Sequence, residues 1–144
     1  MTAVSRETEE QLQSYKALLI KWNATINLVS PRSIDDLETR HIADSLQLAE
    51  MARPVSKWVD LGSGGGLPGL VVAIAHQQSD TEFTLIESDQ RKGTFLRTVI
   101  RELGLQRVNV LNARIENAEP QRADVLSARA LAPLVTLMPW ILRH

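Results

Sequence analysis

The stretch VDLGSGGGLPG, Val59 to Gly69, puts five glycines and a proline directly behind a short apolar run. Few local structures accept that composition. Glycine allows positive φ and removes the Cβ that would hold a ligand off the backbone, while Pro68, with its fixed φ and missing N–H, suits the first turn of a helix. The stretch is therefore expected to join the C-terminal end of a buried strand to a helix N-terminus. That is where open α/β sheets bind ligands and where free N–H groups await an acceptor. A purely structural turn needs one or two glycines, so Gly62, Gly64, Gly65, Gly66 and Gly69 together predict a ligand cradle.

The flanking sequence supplies the scaffold for such a turn. From Thr8 to Trp22 the apolar positions Leu12, Tyr15, Leu18, Leu19 and Trp22 recur at helical spacing, with Thr8 and Gln11 placed as a capping box. NATINLVSPRS interrupts this helix, and DDLETRHIADSLQLAEMA resumes the periodicity with Ile42, Leu46 and Leu48/Ala49 facing inward. Beyond Pro54, apolar strands alternate with helices: KWVDL, a helix from Pro68, EFTLIE, a helix over RKGTFLRTVIRELG, VNVLN, and ADVLSA followed by the helix LAPLVTLMPWIL. Alternation of this kind predicts an α/β fold, a parallel sheet with crossover helices on both faces. The expected organisation is an N-terminal helical segment, 1–54, packed on a core, 55–144, as effectively one domain. A chain of 144 residues, 44% of them apolar, has room for one core.

Composition narrows the function classes. There is no cysteine, hence no disulfide framework and no thiolate metal site. His41, His76 and His144 fall in no metal-ligand or nucleophile constellation. The polar, acidic N-terminus MTAVSRETEEQLQ and the lack of any apolar run near the roughly 20 residues that span a bilayer predict a cytoplasmic protein without membrane insertion. Net charge is −1, yet Arg91, Lys92, Arg97, Arg101, Arg107 and Arg114 fall within one stretch opposed only by Asp89 and Glu102. By charge patterning alone that stretch reads as a solvated helix face.

Two frames compete for the glycine loop. Counted from Gly64, GGGLPG satisfies the dinucleotide fingerprint G-x-G-x-x-G, with Glu87 ending the next strand where a ribose partner is expected. Counted from Asp60, the pattern Asp60-x-Gly62-x-Gly64-x-Gly66 resembles motif I of class I S-adenosylmethionine-dependent methyltransferases. KWNATINLVS, RHIADSL, VDLGSGGGLPG, LIESDQRKGTFL, ARIEN and SARAL follow in the order and spacing of the bacterial 16S rRNA (guanine-N7)-methyltransferase family, also called glucose-inhibited division protein B. This resemblance runs from Tyr15 to about Leu134.

The resemblance implies a Rossmann-like sheet, S-adenosyl-L-methionine as cofactor, and methyl transfer to N7 of a guanosine in 16S rRNA of the small ribosomal subunit. It implies further that Asp60, Gly62, Ser63, Gly64, Gly66 and Leu67 cradle the methionine end, with Asp60 near its ammonium group. Glu87 would hold the ribose hydroxyls, Ile115 and Glu116 flank the adenine, and Arg129 line the shared cofactor and substrate pocket. Arg91, Lys92 and Arg114 correspond to basic positions at the RNA entrance, with Arg114 and Arg129 orienting the substrate in place of a general base. Arg40, His41 and Asp44 read as a capping or salt-bridge network that packs the first helices on the sheet. A class I sheet has seven strands and only four are expected in this chain, so a non-catalytic cofactor- or RNA-binding module is one alternative reading. An NAD-binding oxidoreductase is the other.

Overall fold

The computed structural model describes residues 4–52, 55–128 and 134–144. Four parallel strands form the sheet: β1 (Lys57–Leu61), β2 (Glu82–Ile86), β3 (Val108–Leu111) and β4 (Val125–Ala128), in the order β3-β2-β1-β4. The register is in step, with Asp60 opposite Leu85 on one side and Ser127 on the other. Chain order runs outward from β1 toward β3, then jumps back across β1 to β4. The loops after β1 and β4 therefore diverge, which opens a crevice at the carboxyl ends of the strands.

Strand side chains alternate between two apolar layers. Trp58, Phe83 and Leu85 face α4 (Gly69–Ala75) and α5 (Gln90–Leu103), and α1 (Arg6–Asn23) packs outside these two helices. Val59, Leu61 and Ile86 face the other way, toward Ile115, Ala118 and Trp140 of α6 (Leu134–Arg143). Helices thus lie on both faces, as alternation predicts.

Three local expectations shift. The first helix is capped by Ser5 rather than Thr8: the Ser5 Oγ accepts from the Thr8 N–H at 3.1 Å, so Thr8 sits inside the first turn. The second predicted helix is broken into α2 (Pro31–Asp35), a π-helical turn (Leu37–Ile42) and α3 (Ala43–Met51). Ser30 caps α2 with Pro31 at its first position, which fixes a start that periodicity alone places several residues later. Pro68 lies immediately before α4 rather than within it.

Residues of the interrupting segment also tie the N-terminal helices to the sheet. Asn23 Oδ1 accepts from the N–H groups of Leu28 and Val29, at 2.8 and 2.9 Å, and folds NATINLVS back on the end of α1. The Tyr15 hydroxyl, fully buried, donates to the Gly65 carbonyl at 2.6 Å and so fastens α1 to the glycine loop. Trp22 is half-buried against Phe95, ring centroids 5.6 Å apart, and Trp58 is fully buried.

Candidate functional site

The loop after β1 divides its glycines between two tasks. Gly65, Gly66 and Gly69 face the protein: a Cβ at Gly69 would stand 2.5 Å from Asp60 Oδ2, and one at Gly65 would stand 3.2 Å from Leu19 Cδ1. Gly66 has φ +91° and leans on Leu70, which also excludes a side chain. Gly62 and Gly64 face outward and line a cleft, and at Gly64 a Cβ would meet no protein atom closer than 3.9 Å. Gly62 and Gly64 are set by their positive φ of 64° and 52°, and internal packing accounts for the other three.

Asp60 lies beneath the loop, 1% exposed, and does not line the cleft. Ser127 Oγ donates to its Oδ1 and Ser63 Oγ to its Oδ2, both at 2.7 Å, and the Gly69 N–H donates as well. Burial pushes its carboxyl up to about 6, against these three hydrogen bonds, which pull the other way. The Trp58 indole N–H donates to the same Ser127 hydroxyl at 2.9 Å, so the serine of SARAL clamps β1 to β4. The Asp60 carboxylate thus braces the loop from below.

Glu87 stands at the end of β2, on the cleft wall. Its Oε1 accepts from the Gly64 N–H at 2.7 Å and its Oε2 from the Asp89 N–H at 2.9 Å. The carboxylate therefore fixes both loops and keeps lone pairs for a further donor, since each oxygen accepts two hydrogen bonds. Asn112 holds the same corner by donating to the Glu87 and Ser88 carbonyls. Asp89 caps α5: the N–H groups of Lys92 and Arg91 on its side chain hold its carboxyl below the ordinary range.

The cleft measures about 360 Å³. Gly62, Gly64 and Glu87 form one end, Lys92, Arg114 and Glu116 the rim, and Ile86, Ala113, Ile115 and Trp140 an apolar wall. Outward-facing glycine backbone, a carboxylate with spare acceptor capacity and an apolar wall therefore lie along one cleft. Arg114 Nε contacts Glu116 Oε1 at 2.6 Å, and this hydrogen bond holds the Glu116 carboxyl below its ordinary range.

Of the sequence-predicted residues, Gly62, Gly64, Glu87, Lys92, Arg114, Ile115 and Glu116 meet at this cleft. Leu67 lines a second cleft on the other side of the loop, and Ser63 and Gly66 are buried within it. Arg91 points elsewhere, into a groove with Lys21, Trp22 and Thr94. Arg129 lies outside the described residues. Sequence reasoning missed Trp140 on the wall, Asn112 and Asp89 behind Glu87, and Tyr15 behind the loop. Only Asp89 carried a local signal, as a helix cap ahead of α5. Among the described residues no group of His, Asp or Glu is arranged to hold a metal, and no helix is long and apolar enough to cross a membrane.

The family described as rRNA small subunit methyltransferase G, GidB, matches residues 8–144. A ribosomal RNA small subunit methyltransferase G from Paracoccus denitrificans is 57% identical over 143 residues, covering 99% of this chain and 72% of that protein. Its namesake from Gluconobacter oxydans is 55% identical over 140 residues, covering 97% of this chain and 70% of that protein. Among solved structures, an RNA methyltransferase from Salinibacter ruber in complex with S-adenosyl-L-homocysteine is 26% identical with a TM-score of 0.54, covering 68% of this chain and 63% of that one. A putative S-adenosyl-L-methionine-dependent methyltransferase from Methanococcus maripaludis, 15% identical, shares the fold with a TM-score of 0.60, covering 99% of this chain and 61% of that one. With its parallel β3-β2-β1-β4 sheet and motif I loop, the chain belongs to the rRNA small subunit methyltransferase G family and has the Rossmann-like α/β fold of class I methyltransferases.

Proposed function

We propose that this protein transfers a methyl group from S-adenosyl-L-methionine to N7 of a guanosine in 16S rRNA, acting in the cytoplasm on the small ribosomal subunit or its RNA. The observation that carries the cofactor half of this reading is the cleft in which Gly62, Gly64, Glu87 and Ile115 converge at the carboxyl ends of β1 to β3. Family membership carries the rRNA half. The open backbone at Gly62 and Gly64 would receive the methionine portion, Glu87 the ribose hydroxyls, and Ile115, Glu116 and Trp140 the adenine.

When bound, S-adenosyl-L-methionine supplies a methyl group activated by a sulfonium. Guanine N7 exposes an in-plane lone pair and carries no proton. As the N7–carbon bond forms, the electron pair of the carbon–sulfur bond stays on sulfur, and the positive charge passes to the base. No general base is required, so the protein's work is orientation, for which effective molarity is the measure. Lys92 and Arg114 at the rim would hold phosphate, and Arg129 follows the loop's partner strand β4 as the residue proposed to hold the base beside the methyl group. The target base would be swung out of its stack to reach this site.

Calorimetric titration with S-adenosyl-L-homocysteine, with NAD as control, is the first test. The expected result is saturable binding of the first alone, weakened by Glu87→Ala, followed by N7-methylguanosine in treated 16S rRNA and its loss in Arg129→Ala. Binding without methyl transfer would reduce the chain to a cofactor-binding module. Binding of NAD alone would overturn the cofactor assignment.

A further inference from the structure

The motif RHIADSL is not used by the cofactor cleft. It forms a second one, of about 200 Å³, lined by His41, Asp44, Ser45, Leu48, Leu67, Pro68 and Ala128. Three features of this cleft are specific. It shares the glycine loop with the cofactor cleft: Leu67 and Pro68 close one side of it, while Gly62 and Gly64 of the same loop line the other cleft. It includes the end of β4 at Ala128, across the switch point from the loop. And its polar wall is set by the π-helical turn Leu37–Ile42, in which the His41 N–H reaches back to the Asp36 carbonyl at 3.3 Å. A π turn inserted in a helix re-aims the side chains that follow it and is frequent at functional sites.

The side chains of the motif divide between the turn itself and the cleft. Arg40 pairs with Asp36 at 3.9 Å on the exposed side of the turn, and Ser45 donates to the His41 carbonyl at 2.8 Å inside it. Asp44 is exposed, in the first turn of α3, and takes no hydrogen bond or ion pair from another described residue. Among the described residues its carboxylate is the one acidic group on the cleft, beside His41 and Ser45, and Leu48, Leu67, Pro68 and Ala128 form the apolar walls.

We propose that this cleft is the pocket for the target guanine, with Asp44 as the residue that selects it, an inference that rests on the rRNA methylation reading above. A carboxylate accepts only, and it takes two parallel donors side by side. Guanine offers such a pair on its Watson–Crick edge, the N1–H and the 2-amino group. Adenine offers an acceptor at N1 beside its single amine, so it leaves the carboxylate facing a lone pair. Flipped bases are read by this edge in enzymes that act on them. N7 lies on the opposite edge of the ring. Holding the Watson–Crick edge at Asp44 therefore turns N7 away from α3, toward the loop that separates the two clefts. The apolar walls suit the ring faces.

The test is methyl transfer by the full chain to a synthetic 16S rRNA that carries, at the position found methylated, either guanosine or inosine, which lacks only the 2-amino group. Wild type should favour guanosine by about tenfold in kcat/KM, in line with the loss of one of two paired donors. Asp44→Asn should lower the guanosine value at least tenfold and bring the guanosine-to-inosine ratio near one, while S-adenosyl-L-homocysteine binds as in wild type. A ratio unchanged by Asp44→Asn overturns the assignment and leaves rRNA methylation standing. Equal use of guanosine and inosine by wild type does the same. A wild-type chain that methylates neither RNA overturns the rRNA reading itself, and the pocket assignment falls with it.

Discussion

At Asp60 the protein buries a carboxylate beneath the glycine loop, and the energetic sign of that burial can be tested. Burial raises its carboxyl from an ordinary 3.8 to about 6, so the folded chain holds a proton that the unfolded chain has released. Stability carried by that proton is present below pH 3.8 and is lost as pH rises through about 6. In Asp60→Asn this dependence disappears. Urea unfolding should show the variant gaining on wild type by about 2 kcal/mol between pH 4 and pH 7; parallel curves would contradict the buried, proton-binding carboxyl. Gly69 makes the complementary case. A Cβ there meets Asp60 Oδ2 at 2.5 Å, and Gly69→Ala should cost roughly 1–3 kcal/mol by overpacking and weaken S-adenosyl-L-homocysteine binding with it. The sequence announced an unusual loop but could not say that Gly65, Gly66 and Gly69 answer to Leu19, Leu70 and Asp60, because Leu19 comes from a distant helix and the approach of Leu70 and Asp60 depends on how the loop itself folds.

At the scale of elements, α1 behaves as a brace for the loop. Tyr15 reaches fifty positions along the chain to the Gly65 carbonyl. Tyr15→Phe should leave that buried acceptor unpaired and lower stability by about 1–2 kcal/mol, with a parallel loss of S-adenosyl-L-homocysteine affinity by calorimetry. Phe at this position with cofactor affinity intact would separate the brace from the site. Asn23 closes the end of the same helix through two N–H groups, so Asn23→Ala should cost a similar amount in thermal unfolding while leaving the loop contact in place. Asn23 falls in a stretch that carries the family resemblance, and both residues serve structure. Strand spans were legible within a residue or two, since each is a short apolar run bounded by polar turns. The π-helical turn was not, because its apolar positions satisfy the ordinary helical period well enough to conceal the inserted residue.

For the whole molecule, the crevice exists because β4 returns to the far side of β1, and Gly62, Gly64, Glu87, Ile115 and Glu116 gather on one side of that reversal. The two basic residues at the rim, Lys92 and Arg114, differ in how they are engaged: Arg114 is paired with Glu116, and Lys92 donates its backbone N–H to Asp89 while its side chain lines the cleft. If RNA enters past this rim, Lys92→Ala should reduce the slope of log affinity against log salt by about 0.7, the release expected for one single-stranded phosphate contact; an unchanged slope in filter binding would remove Lys92 from the RNA path. The sequence by itself determined the layer order, the parallel strands, the loop and the chemical class of its ligand, because these depend on local period, turn chemistry and a contiguous motif. Tertiary structure alone decided which motif residues face a cleft and which face the core. It set Asp60 beneath the loop, Trp140 on the wall of the first cleft and Asp44 on a second, since each of those environments draws on segments tens of residues apart, joined only when the sheet closes around β1.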